Sequence, residues 1–166
     1  MNTEIIKSIY EDNCRWLAFA EAKHTVLIAL NAAFLAILFT KDTQLGIMKL
    51  HMLIMILCLG SLGISIYALL PFNNENKITK GLTQWYYGKR HVVSSVIFYK
   101  EISLMRAEFP VKLKEKLGVS EWSSMEYEWI NQIMAIASVT TIKTVLFKVA
   151  GTVLLIDVLL LVLALI

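Results

Sequence analysis

Four residues in one short stretch, Trp85, Tyr86, Lys89 and Arg90, combine the two properties that nucleotides select. Aromatic rings stack on bases, and Lys and Arg attract phosphate oxygens. The competing reading, favoured for aromatics that follow closely on an apolar segment, is an interfacial anchor or simple packing. Asp157, within VAGTVLLIDVLLLVLALI, is a second candidate. An aspartate at a membrane-helix centre costs about 2.5 to 3.5 kcal/mol, while each surrounding Leu, Ile or Val returns roughly 0.3 to 0.6 kcal/mol, so insertion still wins. A lipid-facing charge is disfavoured, and Asp157 should therefore face another helix or a water-filled path, or carry a proton.

The third candidate is the segment AEAKHTVLIALNAA, Ala20 to Ala33, with Glu21, Lys23, His24 and Asn31 where charged sequence gives way to apolar sequence. Glu21 and Lys23 are two positions apart and point to nearly opposite sides of a helix, so they cannot pair with each other. Glu21, His24 and Asn31, at steps of three and seven, share one side and form a polar stripe running into the apolar run. Such a stripe needs partners on a neighbouring helix. Asn131, Gln132 and Lys143 are expected at a similar level, with Glu21 and Lys143 as the pair to test. Lys23 faces elsewhere, toward an interface or another partner.

Catalytic patterns are missing. The sequence has no Gly-rich phosphate loop, no His-x-x-x-His pair and no nucleophile elbow. Its three histidines, His24, His51 and His91, lack metal-ligand spacing. No catalytic residue, metal or cofactor is assigned, and an enzyme is the weakest class. Two cysteines, Cys14 and Cys58, offer no disulfide framework.

The elements that must position these residues follow from hydropathy. Of 166 residues, 57% are hydrophobic, more than a soluble core needs. Apolar runs at residues 25–40, 50–72 and 143–166 are three membrane spans, the first of them short unless a helix runs in from before it. Residues 1–24 read as an amphipathic helix, with Ile5, Ile6, Ile9, Tyr10, Trp16, Leu17 and Phe19 among polar neighbours, continuing into span one without a break. Residues 73–142 form a helical module between spans two and three, so the chain is one all-α membrane domain over 1–166. Within that module His91 to Tyr99 is as well suited to a strand or irregular chain as to a helix. A helix is expected from Lys100, interrupted at Pro110, and a short one should stop at Gly118.

Ser123 and Glu126 fit a capping box, and no proline or glycine follows until Gly151. One helix should run from the early 120s to the C-terminus, roughly 60 to 65 Å at about 1.5 Å per residue against roughly 30 Å of hydrocarbon. Its first half must then project from the bilayer. Lys7, Arg15 and Lys23 precede span one, and the long loop holds most other basic residues, from Lys77 to Lys116. The positive-inside rule places both in the cytoplasm, with a multi-pass chain whose N-terminus stays attached and cytoplasmic. The net charge is only +3, and the loop interleaves Glu75, Glu101, Glu108 and Glu115 with its basic residues, which argues against nucleic acid as a partner.

The chain resembles the Pycsar transmembrane effectors, the PycTM family of bacterial antiphage proteins. The likeness rests on WLAFAEAKHTVLIALNAA, ISIYALLPF, WYYG and INQIMAIASVTTIKTVLFKVAG, and covers about residues 14–155. Trp16, Glu21, Lys23 and Asn31 match the first motif, and Lys143 matches the basic residue of the last. Glu21 stands where the family usually has Asp, and His24 where a small residue is common. The resemblance implies an inner-membrane effector activated by cyclic CMP or cyclic UMP from a partner cyclase. It further implies that assembled copies impair the membrane and kill the infected cell. Three spans cannot line a pore alone, so a homo-oligomer in contact with membrane lipid is expected. The alternatives are a constitutive small ion channel or transporter subunit, or a membrane scaffold without activity of its own.

Overall fold

A computed structural model describes residues 2–40, 48–71, 98–105 and 108–165. All of its regular elements are α-helices: α1 Asn2–Thr40, α2 Met48–Leu69, α3 Tyr99–Leu104, α4 Phe109–Leu117 and α5 Ser124–Leu165. Three of them, α1, α2 and α5, are long and apolar enough to cross a membrane. The expected continuity of the amphipathic N-terminal segment with span one is found in α1, a single helix of 39 residues. The single C-terminal helix is found in α5, 42 residues and about 63 Å at the usual rise. The span expected to reach residue 72 ends earlier, at Leu69, with Leu70 N–H closing a 3.1 Å turn on the Tyr67 carbonyl. Pro71 explains the early end, because the residue before a proline is pushed out of the helical region.

The chain forms two compact units, a head of residues 1–20 and 72–143 and a bundle of residues 21–71 and 144–166. The head buries Ile6 and Ile9 of α1, Tyr99 and Ile102 of α3, Phe109 and Leu113 of α4, and Ile130, Ile133 and Ala137 of α5. These residues form one apolar core, the pattern of a domain in water. The Tyr10 and Trp129 rings meet edge to face with centroids 4.8 Å apart. The capping box is formed: Ser123 N–H donates to Glu126 Oε2 at 3.0 Å, and Glu126 N–H donates to Ser123 Oγ at 3.3 Å. Thr3 Oγ1 donates to the other Glu126 oxygen at 3.2 Å, tying the start of α1 to that of α5.

Pro110 does not simply interrupt a helix but sits in the first turn of α4, where its missing N–H costs nothing. Gly118 ends α4 at φ 63°, and Val119 N–H reaches back to the Lys114 carbonyl at 3.2 Å. That left-handed position is the one a side chain would strain. The segment left open between strand, helix and irregular chain lies outside the described residues as far as residue 97. Its last member, Tyr99, opens α3.

The bundle inverts the pattern. Val26, Leu30, Ile56, Leu59, Leu155 and Leu163 face outward, while His24, Asn31, His51, Ser61, Ser65 and Asp157 are buried. Large apolar side chains outside and polar ones inside suit a hydrocarbon solvent. Along α1 the buried positions of the bundle are His24, Leu27, Asn31, Phe34 and Leu38, and along α2 they are His51, Ile54, Cys58, Ser61, Ser65 and Ala68. Both follow alternating steps of three and four, the seam of left-handed helix packing.

Candidate functional site

Because only one seam of each helix is withdrawn from the surroundings, polar residues on the seams meet. Asn31 Nδ2 donates to the Leu27 carbonyl one turn back at 2.8 Å, which orients the amide. Its Oδ1 then accepts from the Cys58 thiol of α2 at 3.5 Å. Asp157 of α5 lies close enough to Cys58 to act electrostatically on that thiol. Cys58 packs in a cluster with Phe34, Leu38, Ile54 and Leu161. One turn along α2, Ser61 Oγ donates to the Ala150 carbonyl of α5 at 3.0 Å, and Ser65 Oγ donates to the Ser61 carbonyl at 2.9 Å.

Asp157 is fully buried, and neither carboxyl oxygen has a hydrogen-bond partner among the described residues. Leaving a buried acceptor unsatisfied costs about 1 to 3 kcal/mol, and more for a charge. An amide and a thiol thus meet across two helices, with an acid buried in the same bundle. They can hold a proton or meet a cation or water.

Where the charged entry of α1 gives way to the seam, the Phe147 ring of α5 serves two α1 side chains. His24, fully buried, meets it edge to face at 5.7 Å between centroids, and Lys23 Nζ lies 5.5 Å from its centre. The cation–π distance gives Lys23 a partner within the bundle. Glu21 is half-buried on the flank of the seam that holds His24 and Asn31. The three do share a side of α1, as their spacing requires.

Asn131 and Gln132 are exposed, because the buried seam of the head passes through Ile130 and Ile133 instead. Asn31 is met by Cys58 on α2. Lys143 is buried and is the last residue of the head, whereas Glu21 is the first of the bundle. Trp85, Tyr86, Lys89 and Arg90 lie outside the described residues. Sequence reasoning missed Cys58, Ser61 and Phe147. A signal was present for the first two: His51, Cys58, Ser61 and Ser65 repeat at seven, three and four within an apolar run. Phe147 carried none, being one apolar residue among many.

No group of three His, Cys, Asp or Glu side chains able to hold a metal ion occurs among the described residues. No curated protein and no solved structure matches the chain. The signature of one family does match, over residues 5–166, nearly the whole length. It is wider than the 14–155 that the motifs span, and it takes in the seams of all three long helices. An apolar bundle with a polar interior, joined in one chain to a water-type helical head, is thus the architecture on which that signature falls, and the chain belongs to the PycTM family, the Pycsar effector protein domain.

Proposed function

We propose that this antiphage effector is switched on by a cyclic pyrimidine nucleotide, cyclic CMP or cyclic UMP, made by a partner cyclase. Once active, it impairs the bacterial inner membrane and aborts infection. The observation that carries the reading is that α1 and α5 each supply residues to both units, so a change of packing in the head acts on helices that also build the bundle. The nucleotide must favour the active arrangement over the resting one, since a ligand with equal affinity for both shifts nothing. Copies then assemble, with the N-terminus and head cytoplasmic, and the polar seams give the assembly something other than hydrocarbon to present to ions.

The test is a bacterial culture expressing the protein with and without a pyrimidine cyclase, read by growth and by a membrane-potential dye. Depolarisation only in the presence of the cyclase is the expected result. Equal depolarisation in both cultures supports the second reading, a constitutive channel or transporter subunit, which the buried Asp157 favours. No effect in either culture supports a passive scaffold.

A further inference from the structure

The head carries an open cavity of about 420 Å³ bordered by Asp12, Arg15, Trp16 and Phe19. These four lie at helical steps of three and four along one side of α1, flanking the Ile6 and Ile9 seam that builds the head core. Trp16 is 40% exposed and Phe19 52%, so their rings are not consumed by the core. Trp16 is nevertheless held in place. Its ring centroid is 5.9 Å from Phe98, 5.6 Å from Tyr99 and 6.2 Å from Phe19. Arg15 contacts Asp12 at 3.4 Å in a pair whose side chains are 77% and 40% exposed. Such a pair is weakly held, and its guanidinium stays available to another anion.

We propose that this cavity is where the activating nucleotide binds, an inference that rests on the reading above that the effector responds to a cyclic pyrimidine nucleotide. The ligand offers one flat ring, one singly charged cyclic phosphate and one free ribose hydroxyl. Trp16, with Phe19 beside it, supplies the stacking face; Arg15 supplies the phosphate contact; Asp12 accepts a hydrogen bond from the ribose hydroxyl. The volume falls within the range of small-molecule pockets, roughly 300 to 1,000 Å³. This assignment moves the site from Trp85, Tyr86, Lys89 and Arg90 to a face of α1, the helix that continues into the bundle.

The test is titration of the full-length protein in detergent micelles with cyclic CMP and with cyclic UMP, followed by calorimetry. Wild type binds at least one of them. Arg15→Ala and Trp16→Leu weaken it about tenfold or more, the usual worth of a charged contact or a stacked base, while Trp16→Phe retains most of the affinity. Arg90→Ala leaves it within about twofold, the span of a contact worth less than 0.5 kcal/mol. The Arg15 side chain is largely exposed, so its removal spares the fold, and helical content by circular dichroism verifies this for each variant. Binding that survives both Arg15→Ala and Trp16→Leu overturns the site alone. So does loss on Arg90→Ala without loss on Arg15→Ala. Weakened partitioning of Trp16→Leu into anionic lipid vesicles with unchanged nucleotide affinity makes Trp16 a membrane anchor and also overturns it. Wild type that binds neither nucleotide overturns the functional reading and the site together.

Discussion

A carboxyl with no exposed surface and no hydrogen-bond partner among the described residues, as at Asp157, subtracts from stability whichever proton state it adopts. At a membrane-helix centre an aspartate also costs about 2.5 to 3.5 kcal/mol of insertion free energy. Asp157→Leu should therefore hold or raise the thermal stability of the detergent-solubilised protein while lowering cyclase-triggered depolarisation. A marked fall in melting temperature would mean that the carboxyl is bound in a contact that matters for folding. The Asn31 amide differs because its donor is already satisfied within its own helix, leaving only a thiol contact at 3.5 Å to the neighbouring one. A double-mutant cycle of Asn31→Leu and Cys58→Ala is expected to give a coupling of about 0.6 kcal/mol, the average for hydrogen bonds between membrane helices, and thermal melts of the four proteins would measure it.

Helix ends in the head are set by local chemistry that substitution can reach. Gly118→Ala forces a side chain into the left-handed conformation at φ 63° and should cost about 1 kcal/mol in a denaturant titration. Ser123→Ala removes the N-cap of α5 and should cost a similar amount, about 1 kcal/mol. At the start of α4, Lys112 Nζ lies 2.7 Å from Glu108 and holds that carboxyl below its ordinary range. The stability this gives is present above the ordinary glutamate range and is lost as pH falls through the lowered value, and because the pair is exposed it also fades with salt. These ends were legible in the sequence because a cap, a proline or a glycine acts within a few residues of itself. The length of α1 and of α5 was legible for the same reason, as neither contains a breaker where it leaves the apolar run. The seam of α2 is a weaker signal, since Cys58, Ser61 and Ser65 are polar without being charged and stand out less from an apolar run. The ring contacts of Trp16 with Phe98 and Tyr99 join residues more than eighty positions apart. No local pattern specifies such a meeting; it depends on how the head closes.

At the scale of the whole chain, the question is what a head can change in a bundle. The head ends at Lys143 and the bundle resumes at Thr144 without interruption of α5. An unbroken backbone ladder is stiff, so under the proposed mechanism α5 is one route by which a shift in the head packing of Ile130, Ile133 and Ala137 would reach Ala150 and Asp157. Proline at the junction removes one ladder hydrogen bond and opens a kink, at a cost of about 3 kcal/mol in a helix interior. Thr144→Pro should therefore leave nucleotide affinity close to wild type, because the head cavity is bordered by Asp12, Arg15, Trp16 and Phe19 of α1, and should strongly reduce cyclase-triggered depolarisation. Thr144→Ala, which keeps the ladder intact, should retain the response. Calorimetry on the purified variants and potential-dye measurements on cells expressing them separate the two effects. Full depolarisation by Thr144→Pro would leave α1 as the route between the units, since it is the other helix that contributes to both.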